Sequence, residues 1–192
     1  MVKKVRPSII FCEGKHDLDL CSSLLKKLGL TYRLVTHEEF IKEGRYGETK
    51  IISEYLRDHN SRSRKKNRFL IKDENGKPNV IDNFTFFSQQ LAEEDVKIIS
   101  ILDGDFGRSK KKMQKTLKEQ SKDYLQSSGQ FVYRTKNGQK CFFISKSLEK
   151  QIKEKTGKSI DLLEDTPRKK VIKEFIEANT SWIPELEKTI RE

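Results

Sequence analysis

Two short runs, Ile9-Ile10-Phe11-Cys12 and Ile98-Ile99-Ser100-Ile101-Leu102, are apolar at nearly every position and constrain the fold more than any other feature of the chain. A strand wet on one face alternates apolar and polar residues. A strand apolar throughout is covered on both faces, as in a parallel sheet lying between helical layers. After the first run, Leu18, Cys21, Leu24, Leu25 and Leu28 recur at helical spacing, and Gly29 stands where a helix stops. Residues 32–35 predict a second strand, and Ile51, Ile52, Tyr55 and Leu56 mark one face of a second helix. Strands and helices in alternation predict an α/β fold with a mainly parallel central sheet flanked by helices.

Farther along, Ser61-Arg62-Ser63-Arg64-Lys65-Lys66-Asn67-Arg68 has no apolar anchor and reads as a mobile basic loop. Phe69-Leu70-Ile71 and Val80-Ile81 flank Asn75-Gly76, a dipeptide favoured in tight hairpins, so residues 61–81 read as a basic loop and β-hairpin insertion. Phe84, Phe87 and Leu91 resume helical spacing, and Met113, Leu117 and Tyr124 predict a helix after residue 105. A second hairpin is expected across Asn137-Gly138, between residues 131–133 and 141–144. Helices are expected from about Ser147, from Thr166-Pro167 with Val171, Ile172, Phe175 and Ile176 as its stripe, and from Pro184. Residues 1–150 then form the main domain, and residues 151–192 a helical C-terminal extension packed on it.

Both apolar runs end in acids. The first delivers Glu13, followed by Gly14; the second delivers Asp103-Gly104-Asp105. Ligands of open α/β sheets bind beyond the carboxyl ends of the strands, so residues far apart in sequence can converge there. Asp103 and Asp105 share a face of extended backbone. Like-charged carboxylates gathered in one place are tolerated when a divalent cation sits among them, and hard oxygen ligands suit Mg²⁺ or Mn²⁺.

The strand ending in Glu13-Gly14, with Asp17 four residues after the glutamate, and the later strand ending in Asp103-Gly104-Asp105 resemble the Toprim domain. That module is shared by topoisomerases, bacterial primases, overcoming-lysogenization-defect nucleases and small ribosomal-RNA maturases. The Glu-Gly-x-x-Asp form is similar to the nuclease-like branch. The resemblance spans roughly residues 5–145 and implies metal-dependent phosphoryl chemistry on nucleic acid. It implies catalytic roles for Glu13, Asp103 and Asp105, with Glu13 a metal ligand or a general acid–base. It implies Mg²⁺ or Mn²⁺ as cofactor, held by Glu13, Asp17, Asp103 and Asp105. Glu149 is similar to a further acidic position of that branch. The chain has too little room for the extra domains of a topoisomerase.

Composition agrees with a polyanionic partner. The 192 residues carry 40 Lys+Arg against 29 Asp+Glu, a net charge of +11, which favours DNA or RNA. Lys15, Arg108, Lys110, Lys111 and Lys112, close in sequence to the two acidic motifs, are the expected phosphate contacts. His16, beside Glu13 in sequence, is a candidate proton shuttle. No run is long and apolar enough for a membrane span. The N-terminus lacks the pattern of a signal peptide. Cys12, Cys21 and Cys141 form neither a disulfide framework nor a metal knuckle, so a cytoplasmic location is expected. Two other functions fit parts of the pattern. One is a nucleic-acid-binding protein that keeps the core without the chemistry. The other is a haloacid-dehalogenase-type phosphatase, which also opens on Asp-x-Asp; here Gly107 stands where that family usually has Thr or Val, and no later paired acidic motif follows.

Overall fold

The structure is a computed structural model that describes residues 6–39, 47–60, 68–104, 106–179 and 181–192. The strands are β1 (Ser8–Cys12), β2 (Tyr32–Val35), β3 (Phe69–Asp73), β4 (Lys97–Leu102), β5 (Gln126–Ser127), β6 (Val132–Arg134) and β7 (Lys140–Phe143). The helices are α1 (Lys15–Lys27), α2 (Gly47–Asn60), α3 (Lys77–Gln90), α4 (Phe106–Ser121), α5 (Leu148–Thr156), α6 (Asp165–Ala178) and α7 (Ile183–Arg191). The seven strands form one mixed sheet in the order β2-β3-β1-β4-β7-β6-β5. The first five in that order are mutually parallel, and β6 and β5 close the edge antiparallel.

The side-chain period of two places the core on both faces. Ile10 and Cys12, Phe69 and Ile71, Ile99 and Ile101, and Phe142 point into one apolar cluster with α1, α5, α6 and α7. Ile9 and Phe11, Leu70, Ile98 and Leu102, and Phe143 point into the other with α2, α3 and α4. All five residues of β1 and all six of β4 are buried, which is why these strands lack alternation. The C-terminal helices complete the first layer: the Trp182 ring packs at a tilt against Phe175 and Phe142, with ring centroids 5.9 and 6.0 Å apart.

The chain leaves β1 toward α1 on one face but leaves β3 and β4 toward α3 and α4 on the other. Its path reverses at β1, and a crevice opens at the carboxyl ends of β3, β1 and β4.

The expected hairpin between residues 69 and 81 does not form. Phe69–Asp73 is a parallel strand between β1 and β2, and Val80 and Ile81 lie inside α3. Asn75 and Gly76 do adopt positive φ, 54° and 122°, as that dipeptide favours. The turn carries the chain from a strand into a helix instead of back along the sheet. The basic run 61–67 lies outside the described residues. The hairpin across Asn137-Gly138 forms as β6–β7, and α5, α6 and α7 begin within two residues of the predicted starts.

Candidate active site

Glu13 follows β1 and Asp103 follows β4, at the same edge of the sheet and on adjacent strands. Glu13 Oε1 accepts the backbone N–H of Asp103 at 2.9 Å. Asp103 Oδ2 accepts the N–H of Leu148, the first residue of α5, at 2.5 Å. Both side chains are thereby fixed by backbone donors.

The third contributor is the β3–α3 turn. Its backbone is tied to β1: Glu74 N–H donates to Cys12 O at 2.9 Å and Gly76 N–H to Glu13 O at 2.7 Å. The turn delivers Lys77, whose ammonium lies 3.5 Å from Glu13 Oε2 and 3.4 Å from Asp103 Oδ1. Gly104 makes room for it. A Cβ at Gly104 would come within 2.9 Å of Lys77 Nζ, and its φ of +81° disfavours any other residue. Lys77 is not legible as a site residue in the sequence, because Asn75-Gly76 just before it reads as a hairpin turn.

Asp17, one turn into α1, is 5% exposed; the carboxyl is bonded by the Gly14 backbone, but its Oδ1 has no hydrogen-bond partner among the described residues. Beside it, His16 Nδ1 lies 2.7 Å from Glu149 Oε1. Glu13, Asp17, Asp103, His16 and Glu149 all line one open cavity of about 250 Å³. Ligand atoms of His16, Glu149 and the exposed Asp161 also lie within 4.8 Å of one another. The N-termini of α1 and α3 and the first turn of α5 border the same cavity, so three positive helix ends face it.

The electrostatics follow from burial. Desolvation, reinforced by Asp103, pushes the Glu13 carboxyl up to about 7. Asp17 is raised well above the usual range by burial and then by Asp103, Glu13 and Glu149. Burial also raises Asp103, although the Leu148 N–H and Lys77 oppose it. Burial disfavours the Lys77 ammonium, but Glu13 and Asp103 outweigh this and raise its pKa. Glu149 is held low by its hydrogen bond from His16. The site thus has an excess of carboxyl groups that Lys77 balances in part.

Of the other expected site residues, Asp105 lies outside the described residues. Lys15 lines the cavity but is exposed and pairs with Asp165 at 3.1 Å. Arg108, Lys110, Lys111 and Lys112 are on α4 and do not line the cavity. Lys110 instead sits over the Tyr133 ring, 4.2 Å from its centroid, while Lys111 and Lys112 are exposed. Comparison with protein-family models, with curated proteins and with solved structures gives no match to this chain.

Proposed function

We propose that this protein is a divalent-metal-dependent phosphoryl-transfer enzyme acting on nucleic acid, a nuclease of the Toprim type. The observation that carries the reading is Asp17: a buried carboxylate oxygen without a partner, lining the same cavity as Glu13 and Asp103. A buried carboxyl oxygen left unsatisfied is costly, and burial together with the neighbouring acids disfavours its charged form in the metal-free site; an oxygen-ligated cation would relieve both. The donors are all hard oxygens, which suits Mg²⁺ or Mn²⁺. Glu13, Asp17 and Asp103 would hold the ion, together with Asp105, which the sequence sets two residues beyond Asp103. When bound, such an ion polarises phosphate oxygens and steadies developing charge.

The chain's own residues do the rest. Glu13, whose carboxyl burial raises to about 7 in the metal-free site, would serve as a ligand of the ion or, where the other acids alone hold it, as the group that takes or gives a proton at neutral pH. Three helix N-termini favour an anionic phosphate in the cavity. Lys77 holds the place of a cation between the two carboxylates and is 34% exposed, so it is free to turn to a substrate phosphate when a metal displaces it. Three buried free cysteines suit a reducing compartment such as the cytoplasm.

Lys77 also supports a second reading. An ammonium already lying between Glu13 and Asp103 is compatible with nucleic-acid binding without chemistry. Incubation with labelled DNA and RNA in Mg²⁺, Mn²⁺ or EDTA separates the two. The enzyme reading expects cleavage with either metal, none in EDTA, and none by Asp103→Asn. Binding without cleavage in all three conditions overturns it.

A further inference from the structure

A second concave surface lies away from the candidate active site, between α1 and α6. It is a groove of about 550 Å³ whose lining includes Lys26, Lys27, Lys169, Lys170 and Lys173, against one carboxylate, Glu177. Its floor includes Ser22 and Ser23, small side chains that leave α1 uncovered there. Lys27 is engaged by Glu187 at 2.7 Å, and Lys169 lies 3.7 Å from the buried Asp19. Asp19 is itself taken by Arg168 at 2.7 Å. Lys26 and Lys173 are exposed and have no ion-pair partner among the described residues, and Lys170, also exposed, acts on Glu174 at longer range.

The two helices run in the same direction. Lys15 meets Asp165 and Asp19 meets Arg168, near the start of each helix. The later turns of both then line the groove. Lys15 also lines the active-site cavity. The α1–α6 seam therefore runs from Lys15, paired with Asp165 at the mouth of the site, past the Asp19–Arg168 pair to the lysines of the groove. From Lys15 to Lys27 it covers about 18 Å of helix axis, roughly five steps of one strand of a duplex. Lys26 and Lys27 also complement the C-terminal end of the α1 dipole. No such reason applies to Lys169 and Lys170, which fall in the first half of α6. Ammonium groups that line one groove from two helices repel one another, and an anion lying among them offsets that repulsion.

We propose that this groove is the track for the phosphate backbone of the nucleic-acid substrate, leading one flank of it away from the active site. The proposal rests on the nucleic-acid reading of that site. Contacts of this kind position a substrate without reading its sequence.

Binding measured in EDTA, where no cleavage occurs, tests it. Labelled duplex DNA and single-stranded RNA are titrated by fluorescence anisotropy from 50 to 400 mM salt, on the order of the range where counterion release dominates. The proteins are the wild type, the Lys26→Gln/Lys170→Gln/Lys173→Gln variant, and a Lys111→Gln/Lys112→Gln variant on α4. Each lost phosphate contact removes about 0.9 from the slope of log K against log salt on duplex DNA. The groove variant is expected to lose between two and three of that slope, roughly, and at least about tenfold in affinity at 0.1 M salt. The substituted residues are exposed, so folding is checked by the unchanged melt. An unchanged slope overturns the groove whatever the α4 variant does, as does a wild type that binds neither nucleic acid. So does a variant that loses only its adhesion to phosphatidylserine vesicles. The active-site reading is judged separately by the Mg²⁺-induced melting shift of the same groove variant, which should persist at its wild-type size.

Discussion

Glu13 and Lys77 are the residues whose chemistry is most open to measurement. The Glu13 carboxyl rises from an ordinary 4.5 to about 7 on folding. Between those values the folded chain keeps a proton that the unfolded chain has released, so stability falls as pH rises through the window and the loss is complete above about pH 7. Glu13→Gln removes this penalty while keeping an acceptor for the Asp103 N–H. It should raise the metal-free stability by about 1–2 kcal/mol at pH 8, and by almost nothing at pH 4.5. Thermal melts at the two pH values check this; an equal gain at both would mean that the charge is not the cause. Lys77→Met removes the ammonium that competes with a metal. Calorimetric titration should show Mn²⁺ bound about tenfold more tightly by the variant than by the wild type, while cleavage falls. Weaker Mn²⁺ binding would show that Lys77 supports the ion instead of standing in for it.

Among the elements, β3 and its following turn do the most to shape the site. Lys72 on β3 is fully buried on the α2–α3 face, where its ammonium pairs with Glu74 and lies 3.1 Å from Glu48 Oε1. Asn83 Nδ2 of α3 donates to Glu74 Oε2 at 2.6 Å and to Glu48 Oε1 at 3.1 Å. This network links α2, β3 and α3, and so secures the turn that presents Lys77. Removing one partner of a buried ion pair leaves the other charge uncompensated. Lys72→Met should therefore cost about 3 kcal/mol at pH 8 by denaturant melts. The cost should shrink near pH 5.5, because burial already holds the Glu74 carboxyl up to about 7 and the protonated form needs no counter-charge. A loss independent of pH would indicate that packing against Phe11, whose ring centroid lies 5.3 Å from the ammonium, dominates.

At the scale of the molecule, helices cover both faces of the sheet, and the carboxylates gather at one edge where the chain reverses its winding. The metal-free protein carries several carboxyls there that burial pushes upward. A bound cation acts on the whole folding equilibrium. At a hundredfold excess over its dissociation constant, Mg²⁺ should add about 2.7 kcal/mol, roughly 5–10 °C in Tm for a chain of this size. The shift should be larger at pH 8 than at pH 5.5, since the ligands must shed protons to bind. Calorimetric melts with Mg²⁺ and with EDTA measure it. No shift at pH 8 would remove the cation from the site.

The sequence alone determined β1 and β4, because side chains buried on both faces leave a run with no polar interruption. It also determined that Glu13 and Asp103 close those strands, and that a helical stripe follows each of them, since helical periodicity is local. Asn75-Gly76 shows where local pattern stops: positive φ suits a hairpin and a strand-to-helix turn alike, and only pairing of Phe69–Asp73 with β1 and β2 chose between them. The tertiary structure decided that Lys77 reaches both carboxylates, that His16 meets Glu149, and that one oxygen of Asp17 is buried without a partner among the described residues. It also decided that lysines from α1 and α6 face one groove while Lys110 turns onto Tyr133. Each of these depends on which elements lie side by side. That is settled by burying two apolar faces of one sheet at once, a condition that no short window of sequence contains.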